Sequence, residues 1–128
     1  MGPGGKVILF ADDEIIFLIF VKTILEESGY RVIVAQNGDE ALKLFKQNCQ
    51  DISLAIVDLI MPGLNGLEVM DEIHKISPHT PVIISSSHSS DYVEESAGRN
   101  LSYFMPKNCS TEEIRAFVRN AIGHPKDQ

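Results

Sequence analysis

Short apolar runs alternate with longer amphipathic stretches along the chain. The runs predict five strands, at residues 6–11, 31–35, 52–57, 81–85 and 101–105. The intervening patterns predict five helices, at residues 14–28, 38–47, 66–76, 91–97 and 111–122. Continuous apolar strands that alternate with helices are typical of a parallel sheet covered on both faces. The sequence therefore predicts a three-layer, doubly wound α/β fold around a five-stranded parallel sheet.

Several residues next to these segments are expected to fix the ends of the helices. Gly29 should end the first helix, and Asn37 should cap the second. Asn65 or Gly66 should open the third, and Ser110 or Thr111, with Glu113, should cap the last.

Polar side chains follow four of the five predicted strands. Asp12 and Asp13 follow the first strand, Asp58 ends the third, Ser86 follows the fourth and Lys107 follows the fifth. Right-handed crossovers place the carboxyl ends of all these strands at one edge of the sheet, where ligands of such folds bind. Any one of these residues could be an ordinary solvated strand end, but all five together favour a site. Clustered carboxylates suit Mg²⁺, and a lysine and a hydroxyl beside them could orient phosphoryl oxygens.

Composition narrows the function classes. The chain has 128 residues, enough for one domain with a real core, and its 44% hydrophobic and 23% charged residues are typical of globular proteins. A net charge of −7 makes direct nucleic-acid binding by this domain unexpected. Cys49 and Cys109 lack metal-ligand spacing and are interpreted as incidental thiols in a reducing compartment. No run reaches the ~18 apolar residues of a membrane span. We therefore expect a cytoplasmic protein without membrane contact.

The predicted organisation is one domain with short flanking segments. Residues 1–5 resemble a flexible leader or a cloning remnant, residues 6–123 form the domain, and residues 124–128 form a tail or the start of a linker. Whether the domain stands alone or is a piece of a larger regulator is left open by the sequence.

From Lys6 to about Ile122 the chain resembles the receiver domains of two-component response regulators, including chemotaxis regulators. The motifs that carry the resemblance are Asp12-Asp13, Asp58 with Met61-Pro62 and Gly66, Ser86 after 81–85, and Lys107. The resemblance implies a flavodoxin-like (βα)5 fold with strand order 2-1-3-4-5.

The resemblance also implies roles for individual residues. Asp58 would accept a phosphoryl group from a histidine kinase or a histidine phosphotransfer protein. Mg²⁺ would be bound by Asp13 directly, by Asp12 mainly through water, by Asp58 and by the backbone carbonyl of Ile60. Lys107 would pair with the phosphoryl group.

Two further residues would form the switch. Ser86 would move toward the phosphoryl group, and Phe104 would fill the space it leaves, which alters the face made by the fourth helix, fifth strand and fifth helix. The domain would signal rather than act as an enzyme, promoting only its own phosphorylation and slow dephosphorylation. Ile60 is expected to slow dephosphorylation by excluding water. His88 either blocks or orients that water, or has no role.

The first helix is apolar on every side from Ile15 to Val21. A spacing of ~100° per residue predicts a core stripe made of Phe17, Phe20, Val21, Ile24 and Leu25. The remaining apolar side chains form a predicted partner-docking face, made of Ile15, Ile16, Leu18 and Ile19. The alternatives are that another domain or a homodimer partner covers it.

Two other function classes fit the sequence less well. Haloacid-type phosphatases need a second Asp two residues after the nucleophile, where this chain has Ile60, and no Gly-x-x-x-x-Gly-Lys nucleotide loop is present. A degenerate receiver that only binds partners through its apolar first helix is the alternative hypothesis. The complete set of Asp12, Asp13, Asp58 and Lys107 argues against it.

Overall fold

The computed structural model describes residues 5–123. Its elements are β1 (Val7–Ala11), α1 (Ile15–Glu27), β2 (Arg31–Ala35), α2 (Gly38–Asn48), β3 (Ile52–Asp58), α3 (Gly66–Ile76), β4 (Val82–Ser86), α4 (Ser90–Ala97), β5 (Phe104–Pro106) and α5 (Thr111–Ile122). The strands pair in parallel in the order β2-β1-β3-β4-β5. This confirms the doubly wound fold and the strand order. Residues 1–4 of the predicted leader and the predicted tail at 124–128 lie outside the described residues.

The sheet separates two apolar cores. Alternate residues of β1 face opposite sides, so that Leu9 packs with residues of α2 and α3, whereas Phe10 packs with residues of α1 and α5. Both residues are fully buried. Burial on both faces is the reason why the central strands read as continuous apolar runs.

The predicted N-terminal caps are formed as expected, whereas the C-cap of α1 is Ser28, one residue before the predicted Gly29. The side chains of Asn65 and Ser110 each accept a hydrogen bond from the backbone N–H of the glutamate three residues later. The side chain of that glutamate in turn accepts a hydrogen bond from the backbone N–H of the cap residue. Asn37 accepts from the backbone N–H of Glu40 at 2.7 Å. These bonds satisfy amides that the helices leave unpaired.

The fifth strand is shorter than predicted, which corrects the expected range of 101–105. Its pairing with β4 begins at Phe104. The backbone N–H of Leu101 instead donates to Glu94 Oε2 at 2.7 Å. A side chain of α4 therefore satisfies the Leu101 N–H outside the sheet.

Helix α1 is rotated relative to the sequence prediction. Leu18 is 4% exposed and belongs to the core, whereas Phe20 is 44% exposed. The buried face is centred on Val21 and Leu25, so that Leu18 lies at its edge and Phe20 lies outside it. The prediction that Leu18 is a docking residue is therefore wrong, and so is the prediction that Phe20 is a core residue. The exposed set, called here the α1 apolar patch, is Ile15, Ile16, Ile19 and Phe20.

Among residues 5–123, none of the helices is both long and apolar enough to pass through a membrane.

Candidate functional site

The polar residues at the strand ends meet at one edge of the sheet. Asp58 is aligned with Ser85 on β4, and Ser86 is aligned with Pro106 on β5. The backbone N–H of Lys107 donates to the carbonyl of Ser86 at 2.9 Å. Parallel pairing therefore holds residues that are far apart in the chain at adjacent positions.

Three carboxylates form the floor of this site. Oxygens of Asp12, Asp13 and Asp58 lie within 4.8 Å of one another. Asp12 is fully buried, Asp58 is 5% exposed and Asp13 is exposed. Asp12 Oδ1 accepts the backbone N–H of Glu14 at 2.8 Å, and the buried Oδ2 lies 3.0 Å from the Lys107 ammonium. Three carboxylates this close together offer hard oxygen ligands in a donor set that fits Mg²⁺.

Lys107 supplies the positive charge of the site. Its Nζ lies 2.7 Å from Glu14 Oε1, 3.0 Å from Asp12 Oδ2 and 3.2 Å from Asp58 Oδ2. The ammonium also lies 5.1 Å from the centroid of the Phe17 ring. The side chains of Lys107, Asp12 and Asp58 are at most 13% exposed, so the contacts among them are only weakly screened by solvent, whereas the Glu14 side chain is 64% exposed.

Burial and the contacts of Lys107 have opposing effects on the pKa values of these groups. Burial, followed by repulsion from Asp12, raises the pKa of the Asp58 carboxyl from its ordinary 3.8 to about 6, against the attraction of Lys107. Burial also raises the pKa of Asp12. Burial would lower the pKa of Lys107, but hydrogen bonds to Glu14 and Asp12 raise it above its ordinary 10.5. At neutral pH the site therefore holds a charged lysine and a carboxylate at Asp58 that is poorly stabilised.

Gly66 allows the loop after β3 to close against Asp58. A Cβ at this position would lie 2.5 Å from the backbone oxygen of Asp58. The Gly66 N–H donates to the carbonyl of Leu59 at 2.9 Å. A side chain here would push the loop away from the carboxylate, which explains the glycine at the start of α3.

The other predicted site residues surround this centre. Ser86 is 3% exposed, and its Oγ accepts the backbone N–H of His88 at 3.0 Å. Ile60 is 66% exposed and lines the same cavity as Asp58 and Lys107. Half-buried Phe104 instead lines a neighbouring cavity with His88. The structure thus brings Asp12, Asp13, Asp58, Ser86 and Lys107 together, while the roles of these residues remain predictions.

Sequence reasoning missed two residues that contact Lys107. In the sequence prediction Glu14 is only the first residue of the first helix, and Phe17 is only a core residue. The available signal was that Glu14 directly follows the acidic pair Asp12-Asp13 and that Phe17 lies one helical turn later. The contact between Glu14 and Lys107 spans 93 positions and depends on the tertiary fold.

Comparison with known proteins gives a consistent picture. The profile of the family described as the response regulator receiver domain matches residues 8–119. The chemotaxis protein CheY of Thermotoga maritima is 36% identical over 84 residues, which cover 65% of this chain and 68% of that protein. A putative two-component response regulator of Arabidopsis thaliana is 29% identical over 120 residues, which are 94% of this chain but 19% of that regulator. The chain thus spans a minor part of some of the curated relatives it matches.

Solved structures match over nearly the whole chain. The crystal structure of a response regulator receiver domain protein from Clostridium thermocellum superposes with a TM-score of 0.81 at 33% identity. The match covers 91% of this chain and 94% of that one.

Proposed function

This chain belongs to the family of response regulator receiver domains, the signalling domains of two-component systems, and we propose that Asp58 is its phosphoacceptor. The observation that carries the proposal is the cluster of Asp12, Asp13 and Asp58 with Lys107 in contact. The experiment that tests it is Mg²⁺-dependent transfer of one phosphoryl group from acetyl phosphate to Asp58. An interaction-only receiver is not favoured, because such a protein would not need this complete cluster.

In the proposed reaction, an oxygen of the Asp58 carboxylate forms a bond to phosphorus. With a phosphohistidine donor the P–N bond breaks, the imidazole nitrogen keeps the electron pair and it takes a proton from solvent. With acetyl phosphate the P–O bond to the acetyl group breaks and acetate leaves. Asp58 must be ionised to attack, and the Lys107 ammonium favours that form.

We propose that Asp13, Asp12, Asp58 and the carbonyl of Ile60 hold Mg²⁺. Bound there, the cation would neutralise carboxylate charge and polarise the phosphoryl group. The carboxylate oxygens of Asp12, Asp13 and Asp58, which lie within 4.8 Å of one another, support this assignment.

Phosphorylation is proposed to shift the domain between two states. The new phosphoryl oxygens accept hydrogen bonds from Lys107 and from the hydroxyl of Ser86. Ser86 Oγ accepts from His88 N–H in this structure, so its hydroxyl hydrogen is free to point elsewhere. Movement of Ser86 would let Phe104 rotate inward and change the face formed by α4, β5 and α5. Contacts that differ between two states are what shift their populations.

The donor is proposed to be a histidine kinase or a histidine phosphotransfer protein in the cytoplasm. The α1 apolar patch lies beside the acidic pair and is the proposed docking surface, with a homodimer partner as the alternative occupant. Ile16 is 84% exposed and Ile19 is 57% exposed, which is unusual for isoleucine.

A charged substitution in the α1 apolar patch should slow phosphoryl transfer from a protein donor much more than transfer from a small-molecule donor. Ile16→Asp should slow phosphoryl transfer from a phosphorylated histidine kinase or phosphotransfer protein by about tenfold or more, because a charge would be buried at a docking interface. Phosphorylation by acetyl phosphate should change less than about twofold. Ile76→Asp, at the 40% exposed end of α3, is the matched control and should leave both rates unchanged. Equal slowing in both variants would contradict docking at α1.

Ile60 should control the lifetime of the phosphorylated form. Its exposed side chain lines the cavity that contains Asp58, where it can exclude the attacking water. Ile60→Asn should accelerate loss of the phosphoryl group by about tenfold, which is ~1.4 kcal/mol in activation free energy. The decay is measured by intact mass after removal of the donor, with Ile76→Asn as control. An unchanged decay would mean that Ile60 does not shield the site.

A further inference from the structure

The shortest contact of the Lys107 ammonium is the one with Glu14, although Glu14 is not one of the proposed metal ligands. The distance of 2.7 Å from Nζ to Glu14 Oε1 compares with 3.2 Å to Asp58 Oδ2. The Glu14 side chain is 64% exposed, at the open side of the site. The carboxylate that binds the lysine at the shortest distance is thus not the one that accepts the phosphoryl group.

The lysine ammonium is already surrounded by acceptors. Its Nζ donates to Glu14 Oε1 and Asp58 Oδ2, and Asp12 Oδ2 lies 3.0 Å away. A phosphoryl oxygen arriving at Asp58 can therefore bond to Lys107 fully only if an existing contact is lengthened. Asp12 and Asp58 are proposed to share a cation, so the contact that competes with the phosphoryl group is the one with Glu14.

The local structure of α1 explains how Glu14 reaches the lysine. Glu14 is the N-cap of α1 and has an extended backbone, with no cap bond from its side chain. Its backbone N–H is fixed by Asp12 Oδ1 at 2.8 Å. Phe17, one turn later, places its ring beside the same ammonium. The first turn of α1 therefore contributes a carboxylate and an aromatic ring to the surroundings of the Lys107 ammonium.

We propose that Glu14 is a positioning residue that restrains Lys107 and thereby slows phosphorylation of Asp58 by small anionic donors. The inference rests on the proposed function of Asp58. Glu14 acts in two ways: its carboxylate competes with the phosphoryl oxygens for the ammonium, and its charge adds to the three carboxylates that repel an anionic donor. A protein donor that contacts α1 and draws Glu14 away would release Lys107 as it docks.

Two substitutions separate contact from charge. Glu14→Gln removes the charge and weakens the contact. Glu14→Asp keeps the charge, but an aspartate at an N-cap turns its shorter side chain toward the amides of the first turn and away from Lys107. The second-order rate constant with acetyl phosphate and Mg²⁺ should rise by about fivefold in Glu14→Gln and by about threefold in Glu14→Asp, which retains the charge; both increases are modest because Glu14 is exposed and such a contact is weak. Glu95→Gln, an exposed position on α4, makes the same charge change and should leave the rate unchanged.

A second readout needs neither Mg²⁺ nor phosphoryl transfer. In metal-free protein, acetylation of Lys107 by acetic anhydride is followed by peptide mass spectrometry, with Lys22 as the internal reference. Release from Glu14 should raise the relative labelling of Lys107 by about fivefold in both Glu14 variants and not in Glu95→Gln. A purely structural role for Glu14 would alter stability without changing this ratio.

The outcomes are distinct. A parent that is phosphorylated at the same rate as both Glu14 variants, or equal labelling of Lys107 in all proteins, would overturn this inference and leave the proposed function standing. If Glu14→Gln raised the phosphorylation rate and Glu14→Asp did not, the effect would come from charge alone. That result would overturn the proposal that contact with Glu14 restrains Lys107. A parent that takes up no phosphoryl group would overturn the proposed function and, with it, this inference.

Discussion

Lys107→Met should lower the free energy of unfolding by about 3 kcal/mol at pH 7.5 in the absence of divalent cations. The substitution keeps an unbranched side chain that is one atom shorter, but leaves Asp12 and Asp58 buried without a compensating charge. Removing one partner of a buried ion pair is far more costly than removing an exposed one, because the remaining charge stays desolvated. The raised pKa of Lys107 means that its stabilising charge is fully present at pH 7.5.

The control for this prediction is Lys22→Met. Lys22 pairs with Glu26 at 3.0 Å on the surface of α1, where both side chains are more than a third exposed. Its loss should be below about 0.5 kcal/mol. Urea unfolding of the parent and of both variants measures the difference, and similar losses for the two lysines would contradict the account. Millimolar Mg²⁺ should restore part of the loss in Lys107→Met, because the cation replaces the missing positive charge.

Asp58→Asn should increase stability at pH 7.5 by about 2–3 kcal/mol without divalent cations. The folded-state pKa of Asp58 is about 6, compared with an ordinary 3.8. Between these values the folded protein binds more protons than the unfolded chain, so ionised Asp58 destabilises the fold as the pH rises through this window. A shift of about two pKa units corresponds to ~3 kcal/mol, and the neutral asparagine removes this cost. Below about pH 4 the parent carboxyl is protonated in both states and the advantage should disappear.

Urea unfolding of parent and Asp58→Asn from pH 4 to pH 8 tests this dependence. Asp51→Asn, in an exposed turn, is the matched control and should change stability by less than about 0.5 kcal/mol across the range. A loss of stability in Asp58→Asn at pH 7.5, or a gain that does not depend on pH, would contradict a buried carboxylate held at a raised pKa. Added Mg²⁺ should shrink the gain, because the cation stabilises the parent's carboxylate.

Local signals in the sequence were sufficient to predict most of the fold. Strands that are buried on both faces appear in the sequence as continuous apolar runs. The caps Asn65 and Ser110 fix the starts of their helices through hydrogen bonds to residues only three positions away. The early start predicted for β5 failed for a non-local reason. The apolar pattern includes Leu101, but the Glu94 side chain takes the bond of its backbone N–H.

The orientation of α1 illustrates a different limit. When every side of a helix is apolar, periodicity alone does not determine which side faces the core. Leu18 and Phe20 are both plausible edge residues, and only packing against the sheet and α5 decides that Leu18 is buried. The docking prediction keeps Ile15, Ile16 and Ile19 and exchanges Leu18 for Phe20.

The sequence predicts which residues form the candidate site, but it does not predict which of them contact one another. Residues directly after the strands were expected at one edge because parallel strands share their polarity, and Asp12, Asp13, Asp58, Ser86 and Lys107 do meet there. The division of Lys107 among three carboxylates depends on side-chain geometry that no sequence pattern encodes.

The most direct test of the central proposal is intact mass after incubation with acetyl phosphate and Mg²⁺. The parent and Asp51→Asn are each expected to gain one phosphoryl group, and the gain should be absent in Asp58→Asn and in parent protein with the metal chelated. No gain in the parent, or an equal gain in Asp58→Asn, would contradict the assignment of Asp58 as the phosphoacceptor.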